Sequence, residues 1–226
     1  MSLIAIGKFA EIENLVYSIV IGDGYVTKCG SICFNHSVIQ EEYAQWKKRR
    51  LMEMGMKFRK DAYCEPRGFG KNRTIRITSS SNARGRELRK MFYPEGKKII
   101  PSEVFASLGW EGWAIVFQDD GRCNRISHYN QTKNGKRIRV ECEPAVNRYE
   151  FCFPEFNDRE MGDSIASLAK LGVRARIGFH HRLGQRLLWI ADVRSKTVFR
   201  SGVMPFMNPC LMYKVLPLPS LRAIAA

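Results

Sequence analysis

The chain has 226 residues, of which 45% are hydrophobic, so it is long enough for one large or two small globular domains. A formal net charge of +15 and a pI near 9.7 exceed what solubility requires and indicate a polyanionic partner, either nucleic acid or an anionic membrane surface. No apolar run reaches the length of about 18 residues that a membrane-spanning helix needs, and the N-terminal run is too short for a signal peptide. We therefore expect an intracellular protein with no membrane partner.

The distribution of charge favours nucleic acid over a membrane. Basic residues are spread through the whole chain, with no long basic amphipathic helix and no lipidation signal. The seven cysteines include no CxxC pair and no histidine at zinc-finger spacing, which predicts free thiols rather than a structural zinc site.

The first predicted helix, Ile12–Ile21, is apolar on nearly all sides and ends at Asp23–Gly24. A helix of this kind is buried on all sides. Its C-terminus carries partial negative charge, so a carboxylate there is disfavoured unless a cation lies beside it. A second apolar helix, Trp113–Phe117, is followed in the same way by Asp120 and Gly121.

Small residues on these two helices, Ser18 and Ala114, would let the helices cross closely. Each helix would then bring its terminal aspartate, Asp23 or Asp120, to the same place.

The helix that follows each Asp-Gly pair is part of an internal repeat. LMEMGMKFR (Leu51–Arg59) matches LAKLGVRAR (Leu168–Arg176), and each segment closes a helical pattern with a glycine in the C-cap region before an alternating strand begins. The chain therefore divides into two copies of one unit, residues 1–96 and 97–226. The second copy has about 20 extra residues in its strand region, where longer hairpins are expected.

The predicted strands alternate aliphatic and polar residues. This period of two occurs in TIRIT (74–78), KRIRVECE (136–143) and VRARI (173–177), and it predicts one face packed on helices and one face rich in arginine. Ile177 is among the residues expected to face the helices. An arginine-rich face on a single strand is ordinarily only solvated, but three such strands favour a nucleic-acid surface.

Two nine-residue segments, VYSIVIGDG and WAIVFQDDG, resemble the motif of the single-chain, two-motif LAGLIDADG homing endonucleases. KKIIP (Lys97–Pro101) and PCLMYKVLP near the C-terminus are similar to segments of monomeric members of that family. The resemblance implies an α+β fold with two pseudo-twofold-related αββαββα units. The motif helices would form the internal interface, and the antiparallel sheets would form a DNA-binding saddle.

The resemblance also implies the catalytic residues. Asp23 and Asp120 occupy the motif's metal-binding position, and the backbone carbonyls of Gly22 and Asp119 are further metal ligands. Because all these ligands are hard oxygens, Mg²⁺ is the expected cofactor, with Mn²⁺ able to substitute. Lys98 and Lys214 align with pocket lysines that act on the attacking water or the phosphate charge. Lys97 competes with Lys98 for the first of these roles.

The reaction implied is hydrolysis of one phosphodiester on each strand of double-stranded DNA, giving a double-strand break with short 3′ overhangs. The DNA contacts would come from polar side chains of the strands and hairpins. The candidates are Lys28, Asn35, Arg76, Arg137, Arg139, Arg174, Arg176, His180, Arg182 and Gln185. His181 and the hairpin residues Tyr129, Asn130 and Gln131 are further candidates.

Two alternatives stay open at this point. One is an RNA maturase that assists splicing of its host intron RNA, and the other is a DNA-binding protein on the same scaffold that does not cut. The presence of both Asp23 and Asp120 argues against the second. With both units in one chain, we expect a monomer. We expect a prokaryotic or phage-infected cytoplasm as its location, with an organelle as the alternative.

Overall fold

A computed structural model describes residues 13–66, 72–133, 136–180 and 184–216 of the chain, with the backbone alone over 127–144. The first unit has the element order αββαββα, as predicted. Its elements are α1 (13–21), β1 (Gly24–Val26), β2 (Ile32–Ser37), a 3₁₀ turn (Val38–Gln40), α2 (Glu41–Glu53), β3 (Ala62–Cys64), β4 (Thr74–Thr78) and α3 (Ala83–Phe92).

The second unit repeats this order after one additional short helix, which the sequence pattern did not predict. Its elements are α4 (Ser102–Ser107), α5 (Trp110–Asp120), β5 (Gly121–Lys133), β6 (Lys136–Cys152), α6 (Asp158–Lys170), β7 (Arg176–His180), β8 (Gln185–Ile190) and α7 (Val193–Val203), followed by 3₁₀ segments at Met204–Phe206 and Pro209–Lys214. The second motif helix is longer than predicted, since it runs through Asp120 rather than ending at Phe117.

The two sheets have the same strand order, which confirms the repeat. One sheet is ordered β1-β2-β4-β3 and the other β5-β6-β8-β7, with all neighbours antiparallel. Gly55 and Gly172, the glycines of the repeat, have φ values of 85° and 79° just after α2 and α6. This left-handed conformation is the one that favours glycine at a helix C-terminus.

The extra residues of the second unit lie in its first hairpin, as expected. β5 and β6 have 13 and 17 residues, against 3 and 6 for β1 and β2. Among the residues given in the ranges above, no helix is both long enough and apolar enough to span a bilayer.

The motif helices α1 and α5 pack side by side through small residues. Ser18 is fully buried, and a Cβ built on Gly112 would lie 2.9 Å from its Oγ. Gly112 is therefore the small residue opposite Ser18, whereas the sequence interpretation gave that role to Ala114. Near the start of the pair, Asn14 Nδ2 donates to the carbonyl of Ser107 at 3.0 Å.

One strand residue is less buried than the alternation predicted. Ile177 was expected to pack on the helices, but its side chain is 45% exposed. It pairs with the fully buried Leu188 and so lies on the core face, because directly paired residues share a face. However, β7 is the edge strand, and the core does not extend to cover it.

Candidate active site

The two motif aspartates lie at the ends of the neighbouring motif helices. Asp120 is the last residue of α5, and Asp23 lies in the turn that follows α1. Burial raises the pKa of Asp23 to about 6, with a further contribution from the charge of Asp119. Burial, together with the charge of Asp23, raises the pKa of Asp120 to about 7. The two carboxylates therefore repel each other across the helix pair.

Each motif helix ends against one of the predicted lysines. Lys98 Nζ donates to the carbonyls of Ile21, Gly22 and Gly24 at 3.3–3.4 Å. In the second unit, Lys214 Nζ donates to the carbonyls of Gln118 and Asp119 at 2.6 and 3.4 Å. These are the cations that the negative end of each helix needs.

Burial lowers the pKa of both lysines, with the nearby aspartates acting in the opposite direction. Lys97, the competing candidate, is exposed. The carbonyls of Gly22 and Asp119, predicted as metal ligands, both accept a hydrogen bond from a lysine in this structure.

The carbonyl of Asp119 accepts a hydrogen bond from Lys214, but its side chain points the other way, into the first unit. Its carboxylate is fully buried and accepts hydrogen bonds from Lys47 Nζ at 2.8 and 3.0 Å. The backbone N–H of Asp23 donates to the same carboxylate at 3.2 Å. Lys47 is also fully buried, and its ammonium lies 5.1 Å from the ring centroid of Phe34 and 4.6 Å from that of Tyr43.

His36 completes this group. Its Nδ1 lies 3.6 Å from an Asp23 oxygen and its Nε2 lies 3.9 Å from an Asp119 oxygen. Burial, assisted by the charge of Lys47, lowers the pKa of His36 to about 4, so the ring is neutral near pH 7. Asp23, His36 and Asp119 thus bring potential metal-ligand atoms within 4.8 Å of one another.

Sequence reasoning missed His36 and Lys47, although each leaves a signal in the pattern. His36 continues the buried alternation of Ile32 and Phe34 along β2. Lys47 lies on the buried stripe of α2, between Tyr43 and Leu51 at spacings of four residues. A charged or titratable residue on an apolar stripe needs a buried partner, and the partner here comes from the other unit.

The C-terminal segment that carries Lys214 is tied to α5. The fully buried Gln118 accepts a hydrogen bond from the backbone N–H of Asn208 at 2.6 Å and donates to the carbonyl of Phe206 at 3.3 Å. Arg125 on β5 donates to the carbonyl of Leu216 at 2.8 Å. These bonds fix the position of Lys214 relative to the end of α5.

Several predicted DNA contacts lie on the polar sheet faces. Asn35 and Arg76 are paired across β2 and β4, and Arg76 Nε donates to Asn35 Oδ1 at 3.1 Å. Arg176 on β7 and Lys28 in the turn between β1 and β2 are exposed. Arg174 precedes β7 and is exposed, whereas the paired His180 and Gln185 are half-buried.

The remaining candidates lie outside the described residues. This applies to Arg182 and His181, and to the side chains of Arg137, Arg139, Tyr129, Asn130 and Gln131.

The second sheet also carries an ion-pair cluster that sequence reasoning missed. Glu150 is fully buried and accepts hydrogen bonds from Arg122 and Arg148. The guanidinium of Arg148 stacks over the ring of Trp189 at 4.0 Å, and that of Arg176 lies 5.8 Å from the same ring. This cluster gathers three guanidinium groups on the polar face of the second sheet, and two of them are held by the buried carboxylate of Glu150.

The residues at the helix ends fit a divalent cation. Within the described ranges, no lysine or arginine nitrogen lies within 4.0 Å of the carboxylates of Asp23 or Asp120. Asp119 already has Lys47 as its ion-pair partner, so Asp23 and Asp120 are the two acids at the helix ends that no basic side chain in the described part of the chain neutralises by direct contact. Two partly buried carboxylates with raised pKa values supply hard oxygen ligands and the negative charge that Mg²⁺ or Mn²⁺ would compensate.

The fold is similar to solved structures of homing endonucleases bound to DNA. The homing endonuclease I-WcaI bound to its DNA recognition sequence matches with a TM-score of 0.71 and 18% identity, over 96% of this chain and 93% of that one. A variant of I-DmoI in complex with its target DNA in the presence of Mg matches with a TM-score of 0.51 and 14% identity, over 88% and 98%. I-DmoI in complex with DNA and Ca matches with a TM-score of 0.50 and 17% identity, over 96% and 97%.

A comparison with curated proteins gives no match. The model of the LAGLIDADG DNA endonuclease family, in contrast, matches residues 14–168, which is more than half of the chain and includes both motif helices. The chain therefore belongs to the LAGLIDADG DNA endonuclease family.

Proposed function

We propose that this protein is a site-specific DNA endonuclease that makes a metal-dependent double-strand break with short 3′ overhangs. The observation that carries the proposal is the pair of helix-end aspartates, Asp23 and Asp120, which lack a cationic partner within 4.0 Å in the described ranges. Two acids from two repeated units suit two cuts on antiparallel strands. The similar I-DmoI structures are complexes with target DNA in the presence of Mg or Mn, or with DNA and Ca, which supports a divalent cofactor.

The chain's own residues would act as follows. Asp23 and Asp120 hold the divalent ions, which when bound supply the positive charge that activates water and stabilises the leaving oxygen. Lys98 and Lys214 lie beside the helix ends with lowered pKa values, so each can offset charge on a phosphate or move a proton. Mg²⁺ is the proposed physiological ion because the carboxylate donors are hard oxygens.

The polar faces of the two sheets would bind the duplex. Arg176 and Arg76 are exposed there, and arginine can pair bidentately with guanine in the major groove. Others of the basic residues would contact phosphate only, which positions the DNA without specifying its sequence. Because one chain contributes both helix ends, the active form is a monomer.

A plasmid assay tests the proposal. The substrate carries the uninterrupted host-gene site, or a site selected from a randomised duplex library. Wild-type protein with Mg²⁺ should linearise this plasmid, and EDTA should prevent it. Asp23→Asn and Asp120→Asn should each abolish linearisation while largely retaining binding. A matched control is Asp192→Asn, an acid at the N-terminus of α7, which should still cut.

Two results would contradict the assignment. Linearisation that persists in both motif variants would exclude these carboxylates. Wild-type protein that binds the selected duplex without cutting it under any divalent metal would support the non-cleaving alternative.

A further inference from the structure

The two motifs differ at the residue before the aspartate, which is Gly22 just after α1 and Asp119 in the last turn of α5. A Cβ built on Gly22 would lie 2.4 Å from Oδ2 of Asp119, closer than such atoms approach. The helix pair therefore has room for only one side chain at this level. The side chain present comes from α5 and points into the first unit, where it meets Lys47 and His36.

The second unit lacks the corresponding partners. Alignment of the repeat glycines Gly55 and Gly172 places Lys47 opposite Ser164, which is buried and donates to a carbonyl of its own helix at 2.7 Å. Gly24 pairs with Phe34 and Gly121 pairs with Phe151. Two positions further along the chain, the equivalent residues are His36 in β2 and Phe153 just after β6.

On the side of the helix pair that faces the second unit, the structure has a cavity where the first unit has buried side chains. A cavity of about 140 Å³ lies next to Gly22, and its lining includes Lys98, Asp120, Phe153 and Glu155. The buried carboxylate, ammonium and imidazole of the first side thus correspond to glycine, serine, phenylalanine and empty volume on the second.

Asp119 supports the two catalytic centres in different ways. It precedes Asp120 within α5, whereas Asp23 lies in a turn outside α1 and meets the side chain of Asp119. It accepts the N–H of Asp23 at 3.2 Å while Lys47 holds both its oxygens, so the turn that carries Asp23 is tied to a fully buried ion pair. Asp120 follows Asp119 within α5, and within the described residues no side chain of the other unit accepts a hydrogen bond from its backbone N–H.

We propose that Asp119 and Lys47 are a positioning pair on which the Asp23 centre depends more than the Asp120 centre, because Asp120 is already held as the last residue of α5. This difference makes the two strand cuts unequal in rate. The proposal rests on the proposed endonuclease function. The strand served by Asp23 would be cut first, because a carboxylate held in place by a rigid support reaches the reactive geometry more often. The cut served by Asp120 would follow.

The test measures each strand separately. A duplex site carrying a different fluorophore on each strand is cut under single-turnover conditions with Mg²⁺, and the ratio of the two strand rates is recorded. Wild-type protein should give a ratio on the order of tenfold. Asp119→Gly combined with Lys47→Ser gives each position the residue of its repeat equivalent, Gly22 and Ser164. This variant should bring the ratio close to one, mainly by slowing the faster strand.

A second variant separates positioning from folding. Asp119→Asn combined with Lys47→Met removes both buried charges at nearly constant volume, so it should fold while still lowering the ratio. Ser164→Ala, the matched change in the other unit, should leave the ratio unchanged. Equal strand rates in wild-type protein, or a ratio that both folded double variants retain, would overturn this inference alone. Wild-type protein that cuts neither strand would overturn the proposed function together with it.

Discussion

Neutralising Asp120, one of the two proposed metal-binding aspartates, should make the metal-free protein more stable. Asp120 has its pKa raised from 3.8 to about 7, first by burial and then by the charges of Asp23 and Asp119. At about 1.36 kcal/mol per pKa unit, this rise corresponds to about 4 kcal/mol against the ionised form. Because the group is partly solvated, we expect about 1–2 kcal/mol of this to be recovered in Asp120→Asn at pH 8. For a chain of this size that is about 2–8 °C in Tm.

The sign of the pH dependence follows from proton linkage. The native state holds the Asp120 proton more tightly than the unfolded chain does, so this group stabilises the wild-type fold fully below pH 3.8 and the contribution is lost as the pH rises through about 7. Asparagine stays neutral throughout. The advantage of Asp120→Asn over wild type should therefore be small at pH 5 and largest at pH 8.

Thermal unfolding in EDTA at pH 5 and pH 8 measures this difference. Asp192→Asn is the control, because hydrogen bonds from Ser195 lower the pKa of Asp192 and its ionised form is favoured by the fold. That substitution should not raise Tm at either pH. Addition of Mg²⁺ should stabilise wild type and stabilise Asp120→Asn much less. Two results would refute the reasoning. One is an Asp120→Asn protein with a lower Tm than wild type at pH 8, and the other is a Tm difference between variant and wild type that is the same at pH 5 and pH 8.

Three further predictions concern packing and DNA binding. Gly22→Ala should cost about 1–3 kcal/mol in urea unfolding, because its Cβ would overlap the opposing carboxylate, whereas Gly162→Ala on the open face of α6 should gain up to about 1 kcal/mol. Glu150→Gln should cost about 2 kcal/mol in the same assay, since its two arginines lose a buried anionic acceptor, and an unchanged midpoint would contradict this. Arg176→Ala should reduce the slope of log affinity against log salt by about 1 in DNA titrations, whereas the exposed Lys170→Ala on α6 should leave it unchanged.

The sequence predicted what depends on local pattern. The glycines of the repeat, Gly55 and Gly172, have the left-handed backbone expected of helix ends. Lys98 and Lys214 lie against the negative ends of the motif helices, where an aspartate is unfavourable unless a cation lies nearby. The glycines follow from a pattern repeated along the chain. The lysines lie 77 and 96 residues from carbonyls that they contact, and it was the resemblance to the family that indicated them.

What the sequence did not predict depends on contacts between the units. Nothing near Lys47 in the chain indicates that its partner is Asp119, 72 residues away. The position of β7 at the sheet edge, which leaves Ile177 exposed, is likewise a property of strand order rather than of alternation. Nothing near Glu150 in the chain indicates that it pairs with Arg122, 28 residues away, which the register of β5 and β6 places opposite it.

The place of Lys98 in the chain bears on the construction of hybrid enzymes. The residue belongs to the connector between α3 and α4, after the predicted boundary at residue 96, yet its ammonium contacts carbonyls at the end of α1. Consider a chimera that joins residues 1–96 of this protein to the second unit of another protein. The residue at the position of Lys98 would then come from the other protein. A junction beyond Ile100 would keep Lys98 in the same part of the chimera as α1, so the choice of splice point decides whether the front half retains the lysine that contacts the end of its motif helix.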